Sequence, residues 1–155
     1  MKFANAKTFA TAAGIILALV VSAPAQAADK GCSNATLKGT FGYTITGFGT
    51  APLPMAGPFG SVGTQNFDGS GNTTATALAS ANGNPVPLTI TGTYVVNLDC
   101  TGVLTITISP LSATPSHVYF VIDDGGQEIR AIGADPGGVL TYVGKRQFPA
   151  GDWRQ

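Results

Sequence analysis

The stretch GTYVVNLDCTG, residues 92–102, decides the fold class because it shows a strand that ends in a tight turn. Tyr94, Val96 and Leu98 alternate with positions that include the polar Thr93 and Asn97, which is the period-two pattern of a strand with one buried face. The following DCTG, residues 99–102, contains residues that favour turns. The stretch therefore predicts half of a β-hairpin, with a cysteine in the turn.

The same alternation recurs along the chain from residue 36 onward. Turn-forming clusters separate the alternating segments and divide the chain into eight predicted strands, at residues 36–48, 58–67, 73–81, 86–98, 103–109, 117–123, 127–134 and 139–147. Every connection is short enough for a hairpin, which indicates an all-β, up-and-down meander. Closing the meander into an eight-stranded antiparallel β-barrel leaves no edge strand exposed. A β-sandwich is the alternative, because its local pattern is the same.

The alternation also predicts which side chains fill the barrel. An eight-stranded interior is just filled by side chains or holds one small ligand. The predicted inward row consists of Leu37, Phe41, Tyr43, Ile45, Leu88, Ile90, Tyr94, Val96, Leu104, Ile106, Ile108, Val118, Phe120 and Ile122. Small residues on the first three strands are expected to leave room on one side, namely Gly42, Gly60, Gly63, Ala75, Ala77 and Ala79.

The first 27 residues read as a secretory signal peptide. Lys2 and Lys7 give a positive start, the apolar run at 14–21 follows, and Ala25 and Ala27 form a small-residue cleavage site. The apolar run is far shorter than the ~20 residues that a membrane span needs. We therefore expect an exported protein, periplasmic or extracellular, with no stable membrane insertion and a single β-barrel domain over residues 28–155.

Composition limits the partners of this domain. The chain of 155 residues has eight Lys and Arg against eight Asp and Glu, and only 10% of its residues are charged. It contains no basic run, so a nucleic-acid-binding surface has no electrostatic basis. We expect threonine hydroxyls and small side chains to cover most of the surface.

The two cysteines are expected to form a disulfide. Outside the cytoplasm two cysteines usually pair, and His117 is the only histidine, so a Cys/His zinc cluster cannot be assembled. A thiol nucleophile is the remaining alternative. The meander places Cys32 and Cys100 at the same end of the barrel, where a bridge would close a loop of 68 residues.

Three segments resemble an uncharacterised family of small exported bacterial proteins. They are CSNATLKGTFGY from residue 32, FDGSGN from residue 67 and GTYVVNLDCTG from residue 92. This resemblance implies export but supplies no catalytic residues. The predicted architecture is distantly similar to the barrels of allene oxide cyclases, dirigent proteins, lipocalins and avidins, whose ligand residues do not map onto this chain.

Other candidate chemistry has a simpler structural explanation. His117, Tyr119 and Asp123 share one strand face, but this face points to solvent if the alternate Val-Phe-Ile row points inward. The segment 68–72 begins like a calcium loop, yet the position of the distal glutamate is occupied by Ala79. We expect no catalytic residue, metal or cofactor on this basis.

The most informative feature is the barrel end opposite the cysteines, where the predicted loops 49–57 and 110–116 are long and rich in proline. Leu53, Met55 and Leu111 are apolar residues in these loops, and Phe59 follows at the start of the second strand. They are the candidate ligand-binding residues of a secreted protein that takes a small apolar or amphipathic molecule. The alternatives are a structural or interaction protein with a filled barrel and no ligand, and a cofactor-independent cyclase or isomerase of the allene oxide cyclase type.

Overall fold

A computed structural model describes residues 31–50 and 56–148, which form a closed antiparallel barrel. Its eight strands are β1 (Gly39–Gly49), β2 (Gly57–Phe67), β3 (Asn72–Ala81), β4 (Asn84–Val96), β5 (Thr101–Ser109), β6 (Ser112–Asp123), β7 (Glu128–Gly133) and β8 (Gly138–Arg146). Each strand pairs with the next, and β1 pairs with β8 with Ile45 opposite Tyr142. The predicted barrel is confirmed and the sandwich is not formed. The predicted signal peptide lies outside the described residues.

The predicted strand limits are wrong by several residues where prolines occur. β6 begins at Ser112 rather than at 117, so most of the predicted loop 110–116 is strand. β4 begins at Asn84, before two prolines. Proline has no N–H to donate, which is tolerated where a strand has a neighbour on one side only. Both segments meet this condition, since β4 pairs with β5 only from Thr89 and β6 pairs with β7 only from Val118.

Large side chains pack the half of the barrel that contains the disulfide. Tyr94, Phe41, Phe67, Phe120, Leu37 and Ile129 are the largest fully buried side chains. The Phe67 ring contacts Phe41 and Tyr94 edge to face, at centroid distances of 5.5 and 5.1 Å. Such pairs add a specific geometry to apolar burial. This half of the interior is a packed core, and its inward residues follow the predicted alternation.

The chain before β1 closes this end, which we call the floor. Cys32 and Cys100 form the predicted disulfide, and a short 3-10 helix, Asn34–Leu37, crosses the barrel between the bridge and β1. Asn34 Oδ1 accepts the backbone N–H of Val96 at 2.8 Å, and Leu37 is completely buried. The floor is therefore held by a covalent bond, a hydrogen bond and apolar burial together.

Arg146 on β8 stabilises the floor. Its guanidinium donates to the backbone carbonyls of Thr36, Lys38 and Gly126 and lies over the Phe41 ring, with Cζ 4.6 Å from the centroid. A guanidinium is suited to this position because its planar donors can reach several acceptors at once. Partial burial lowers the Arg146 pKa, but the three carbonyls stabilise the charged form that they accept from.

Threonines cover much of the outer wall. Thr74, Thr91 and Thr107 are neighbours across β3, β4 and β5, and Thr76 pairs with Thr89 in the next row. This agrees with the low charge of the chain. Within residues 31–50 and 56–148, no helix has the length and apolar character needed to cross a membrane.

The β2–β3 turn depends on one carboxylate. Asp68 Oδ1 accepts the backbone N–H groups of Ser70, Gly71 and Asn72 at 2.7 to 2.9 Å, and Asp68 Oδ2 accepts the Asn72 side-chain amide. These hydrogen bonds, first those from Asn72, lower the Asp68 pKa from 3.8 to about 2. The segment that begins like a calcium loop is thus a self-contained turn.

Removing the disulfide should lower the free energy of unfolding. It closes a loop of 68 residues, for which the chain-entropy model gives roughly 4 kcal/mol. We expect the double variant Cys32→Ser, Cys100→Ser to remain folded but to unfold at clearly lower urea concentration. An unchanged midpoint would show that the floor is held by Arg146 and the 3-10 helix without help from the bridge.

The Asp68 pKa predicts a specific acid sensitivity. Because folding depresses this pKa, the carboxylate stabilises the folded state fully above about pH 4, and this contribution is lost as the pH falls towards 2. Asp68→Asn keeps an acceptor oxygen but cannot titrate. Its urea midpoint should therefore fall less between pH 5 and pH 2 than that of the wild type, and parallel curves would contradict the assignment.

Candidate functional site

A cavity of about 180 Å³ occupies the barrel interior on the side of the open end, opposite the floor. Its walls are mainly aliphatic, and the lining comes from every strand except β3, from the β5–β6 turn and from the β7–β8 connection. The aliphatic lining residues are Ile45, Ile90, Leu104, Ile106, Ile108, Leu111, Val118 and Leu140. Such a cavity removes a bound apolar group from water, which is the main favourable term in binding apolar molecules.

The mouth of the cavity lies beside β7. This strand has only six residues and is the shortest of the eight, so the wall is low between the start of β6 and the β7–β8 connection. Ser112, His117, Asp135 and Pro136 line the cavity here. The mouth is therefore formed by two hairpin ends rather than by a continuous strand.

A hydrogen-bonded pair holds these two hairpin ends together. Asp135 Oδ2 accepts the backbone N–H of His117 at 2.6 Å, and Asp135 Oδ1 lies 2.9 Å from His117 Nδ1. The backbone bond first, and then the ring, lower the Asp135 pKa. The His117 side chain is half exposed, on the outward row that the sequence predicts. The pair fixes the rim, and the other ring nitrogen of His117 takes no part in it.

The inner end of the cavity is polar. The Tyr43 and Tyr142 rings are stacked with centroids 5.1 Å apart, and both line the cavity with Gln65. Tyr142 donates its hydroxyl to Gln65 Oε1 at 3.1 Å. The Gln65 amide donates to Thr73 Oγ1 at 2.9 Å, and Thr73 donates to the Asn66 carbonyl. This chain of donors leads away from the cavity into the barrel wall.

The Tyr43 hydroxyl does not join that chain. Burial raises its pKa, an effect that the neighbouring Ser61 hydroxyl partly offsets. Ser61 and Tyr43 nevertheless make no hydrogen bond of acceptable geometry, and both oxygens are buried without a protein partner among the described residues. Burial also raises the Tyr142 pKa, far above its usual range, and Tyr43 adds to this shift. Both tyrosines are thus neutral donors at physiological pH.

The predicted ligand-binding residues are only partly brought together. Leu111 lines the cavity. Phe59 instead packs against Ala79 and Leu88 in a separate core cluster, against which Leu111 and Leu140 also pack. Leu53 and Met55 lie outside the described residues. Ligand binding by these four residues stays a prediction.

The cavity lies away from the small residues that were expected to create it. Ala75 and Ala79 do point inward and are buried, but Ala75 belongs to the main core and Ala79 packs in a cluster with Phe59 and Leu88. Gly42 and Gly60 sit on the outward-facing positions of their strands. The free space is instead nearer β5 to β8, where no aromatic side chain other than Tyr142 reaches the cavity.

Several inward polar residues were not predicted from the sequence, among them Gln65, Tyr142 and Arg146. Gln65 and Tyr142 occupy inward positions that strict alternation gives them, between Gly63 and Phe67 on β2 and between Leu140 and Gly144 on β8. Arg146 continues the β8 row to the floor. Alternation alone could have found all three, whereas the pairing of Asp135 with His117 depends on the turn geometry.

The part of the chain that the structure describes contains no set of side chains that could bind a metal ion. Residues 31–50 and 56–148 contain no cluster of three His, Cys, Asp or Glu side chains. Asp123 instead pairs with Arg130, and Asp99 accepts the Thr101 hydroxyl and N–H.

Comparison with known proteins supports the fold alone. No protein family and no curated protein matches the sequence. The chain is similar to the solved structure of a redesigned β-barrel, with a TM-score of 0.55 and 20% sequence identity over 74% of this chain and 95% of that one. This likeness agrees with the barrel and carries no function.

The hydrogen-bonded chain at the inner end of the cavity predicts that Tyr142 and Tyr119 differ in what their hydroxyls contribute to the free energy of unfolding. Tyr142→Phe leaves the buried Gln65 Oε1 without its donor, which should cost about 1–3 kcal/mol of unfolding free energy. Tyr119→Phe is the matched control, because its side chain lies on the outer wall and is 45% exposed. Urea unfolding should show a loss for Tyr142→Phe only. Equal midpoints would show that Gln65 finds another donor.

Proposed function

We propose that the protein is an exported binding protein for a small apolar or amphipathic molecule, which enters the barrel at its open end. The observation that carries this proposal is the aliphatic cavity of about 180 Å³ behind a low rim. A cavity of about 150 Å³ lined by aliphatic and aromatic side chains is sufficient to bind benzene. The space therefore suits a molecule of about six to ten non-hydrogen atoms.

The distribution of charge supports a neutral ligand. Among the described residues that line the cavity, Asp135 is the acidic one and it is paired with His117 at the rim. An ion placed at the inner end would lose its hydration without meeting an opposite charge, which is strongly unfavourable. A filled barrel with only a structural role is the less favoured alternative, because packing of the floor half does not continue to the mouth.

A cyclase or isomerase is less well supported than a binding protein. Polar side chains do converge on the cavity, but general acid–base catalysis works best when the catalytic pKa lies near the operating pH. The pKa values of Tyr43 and Tyr142 are both raised above that of free tyrosine. These hydroxyls are suited to donate hydrogen bonds rather than to exchange protons.

Export is supported by two independent features. The predicted signal peptide covers residues 1–27, and the Cys32–Cys100 disulfide is of the kind that persists in oxidising compartments. The floor disulfide would keep the barrel closed where no cytosolic quality control operates.

Native mass spectrometry of protein isolated from the periplasm or medium of its own host tests both parts of the proposal. We expect a chain that begins at Ala28 and carries the mass of a small neutral molecule, which solvent extraction releases. A chain that retains residues 1–27 would refute export. A chain of ligand-free mass in every preparation would refute binding.

Two variants make the binding result specific to the cavity. Val118→Phe fills part of the cavity, because Val118 lines it, and should abolish the bound mass while circular dichroism stays that of a β-barrel. Val103→Phe places the same ring on the outer wall, where Val103 is 41% exposed, and should leave the bound mass unchanged. Equal retention by both variants would place the molecule outside the barrel.

A further inference from the structure

Tyr43 lines the cavity, and the packing of the described residues leaves its hydroxyl unpaired, like that of Ser61 beside it. Tyr43 is 3% exposed, and its hydroxyl has no partner among the described residues. A buried hydroxyl without a partner costs about 1–3 kcal/mol relative to one that is paired. Phenylalanine at this position would stack on Tyr142 equally well without that cost.

The neighbouring hydrogen bonds determine what the missing partner must be. Gln65 Oε1 already accepts from Tyr142, and Thr73 Oγ1 already accepts from the Gln65 amide. The orientation of that amide follows from this network. The Tyr43 hydroxyl makes no hydrogen bond to either oxygen or to the Ser61 hydroxyl, so its proton has no acceptor among the described residues. Because a phenol is a better donor than acceptor, the partner that suits it best is an acceptor.

The position of Tyr43 determines where that acceptor lies. On β8 the lining runs from Gly138 near the mouth to Tyr142 beside Tyr43, which is about 13 Å at 3.3 Å per residue. The walls between these points are aliphatic. A molecule that fills the cavity thus has its polar end inside and its apolar part towards the rim.

We infer that the cavity takes a neutral molecule of about six to ten non-hydrogen atoms that carries a carbonyl or ether oxygen, and that this oxygen accepts the Tyr43 hydroxyl at the inner end. This inference rests on the proposed binding function and adds to it the chemical class and orientation of the ligand. Alcohols are less well matched, because their own proton would meet no free acceptor other than Ser61.

Two probes of equal size test the inference. Acetophenone carries a carbonyl, and α-methylstyrene replaces it by a carbon–carbon double bond with almost the same shape. Dissociation constants are measured by NMR titration of the purified mature protein and of Tyr43→Phe. We expect Tyr43→Phe to weaken acetophenone binding roughly two- to tenfold, which is the range for one net hydrogen bond. Its affinity for α-methylstyrene should stay unchanged or increase.

The outcomes separate the inference from the function on which it rests. If both probes bind the wild type and Tyr43→Phe changes neither, the polar anchor is wrong and the binding function stands. If neither probe binds the wild type or competes with a bound host molecule, the binding function itself is overturned. Tyr119→Phe serves as the control for losing a tyrosine hydroxyl from the outer wall.

A stability measurement on the ligand-free protein tests directly whether the Tyr43 hydroxyl is unpaired. Tyr43→Phe should unfold at the same or higher urea concentration than the wild type, because it removes a buried group without a partner. Tyr142→Phe should unfold at lower concentration. If Tyr43→Phe and Ser61→Ala are each destabilised as much as Tyr142→Phe, the Tyr43 hydroxyl is paired with Ser61 inside the protein, and the inference is overturned.

Discussion

The pairing of β1 with β8 is the constraint on which the other features depend. Without it the sheet would have two exposed edges, and its apolar face would have nothing to pack against. Closure at eight strands also fixes the width of the interior to a size that side chains nearly fill. The register of this seam brings Tyr142 opposite Ile45 and Arg146 opposite Phe41. Residues near the end of the described chain thereby meet residues near its start, both at the inner end of the cavity and at the floor.

The two ends of the barrel differ in how firmly the chain is held. At the floor, a disulfide, the 3-10 helix and the Arg146 guanidinium tie the chain before β1 to the β4–β5 turn, to β4 and to β8. At the open end, strands extend beyond their neighbours, prolines replace donors that would have no partner, and β7 stops early. A rigid floor allows a low rim, because the pairing of the strands is already fixed from below. The His117–Asp135 pair then joins the rim where the wall is lowest.

The sequence predicts those features that depend on local pattern. Alternation from residue 92 and the turn residues before Thr101 give the strand and its end to within two residues, since β4 ends at Val96 and β5 begins at Thr101. The hairpin order gives the barrel and the shared end of Cys32 and Cys100. The position of the cavity cannot be obtained in this way, because it depends on which large side chains lean over which small ones. Ala79 is taken into a core cluster with Phe59, and Ala75 into the main core that contains Phe67, so the space opens near β5 to β8 instead. The sequence also misplaces the strand starts that contain proline. Proline is disfavoured only where a strand is hydrogen-bonded to a neighbouring strand on both sides, and the sequence does not show where a neighbouring strand ends.

The contrast between Tyr43 and Tyr142 links folding to the proposed binding. The two rings stack at 5.1 Å in the same apolar surroundings, yet one hydroxyl completes a hydrogen-bonded chain and the other has no partner in the described protein. A paired hydroxyl contributes to the stability of the fold. An unpaired one lowers that stability, and an accepting ligand of the proposed class would recover the loss, because the desolvation of the donor has already taken place. Such an acceptor would gain more at Tyr43 than from a donor that must first lose water, while a hydrocarbon of the same shape would gain nothing there. In the proposed binding function, the aliphatic cavity walls would give affinity for small apolar molecules in general, and the unpaired Tyr43 hydroxyl would select among them.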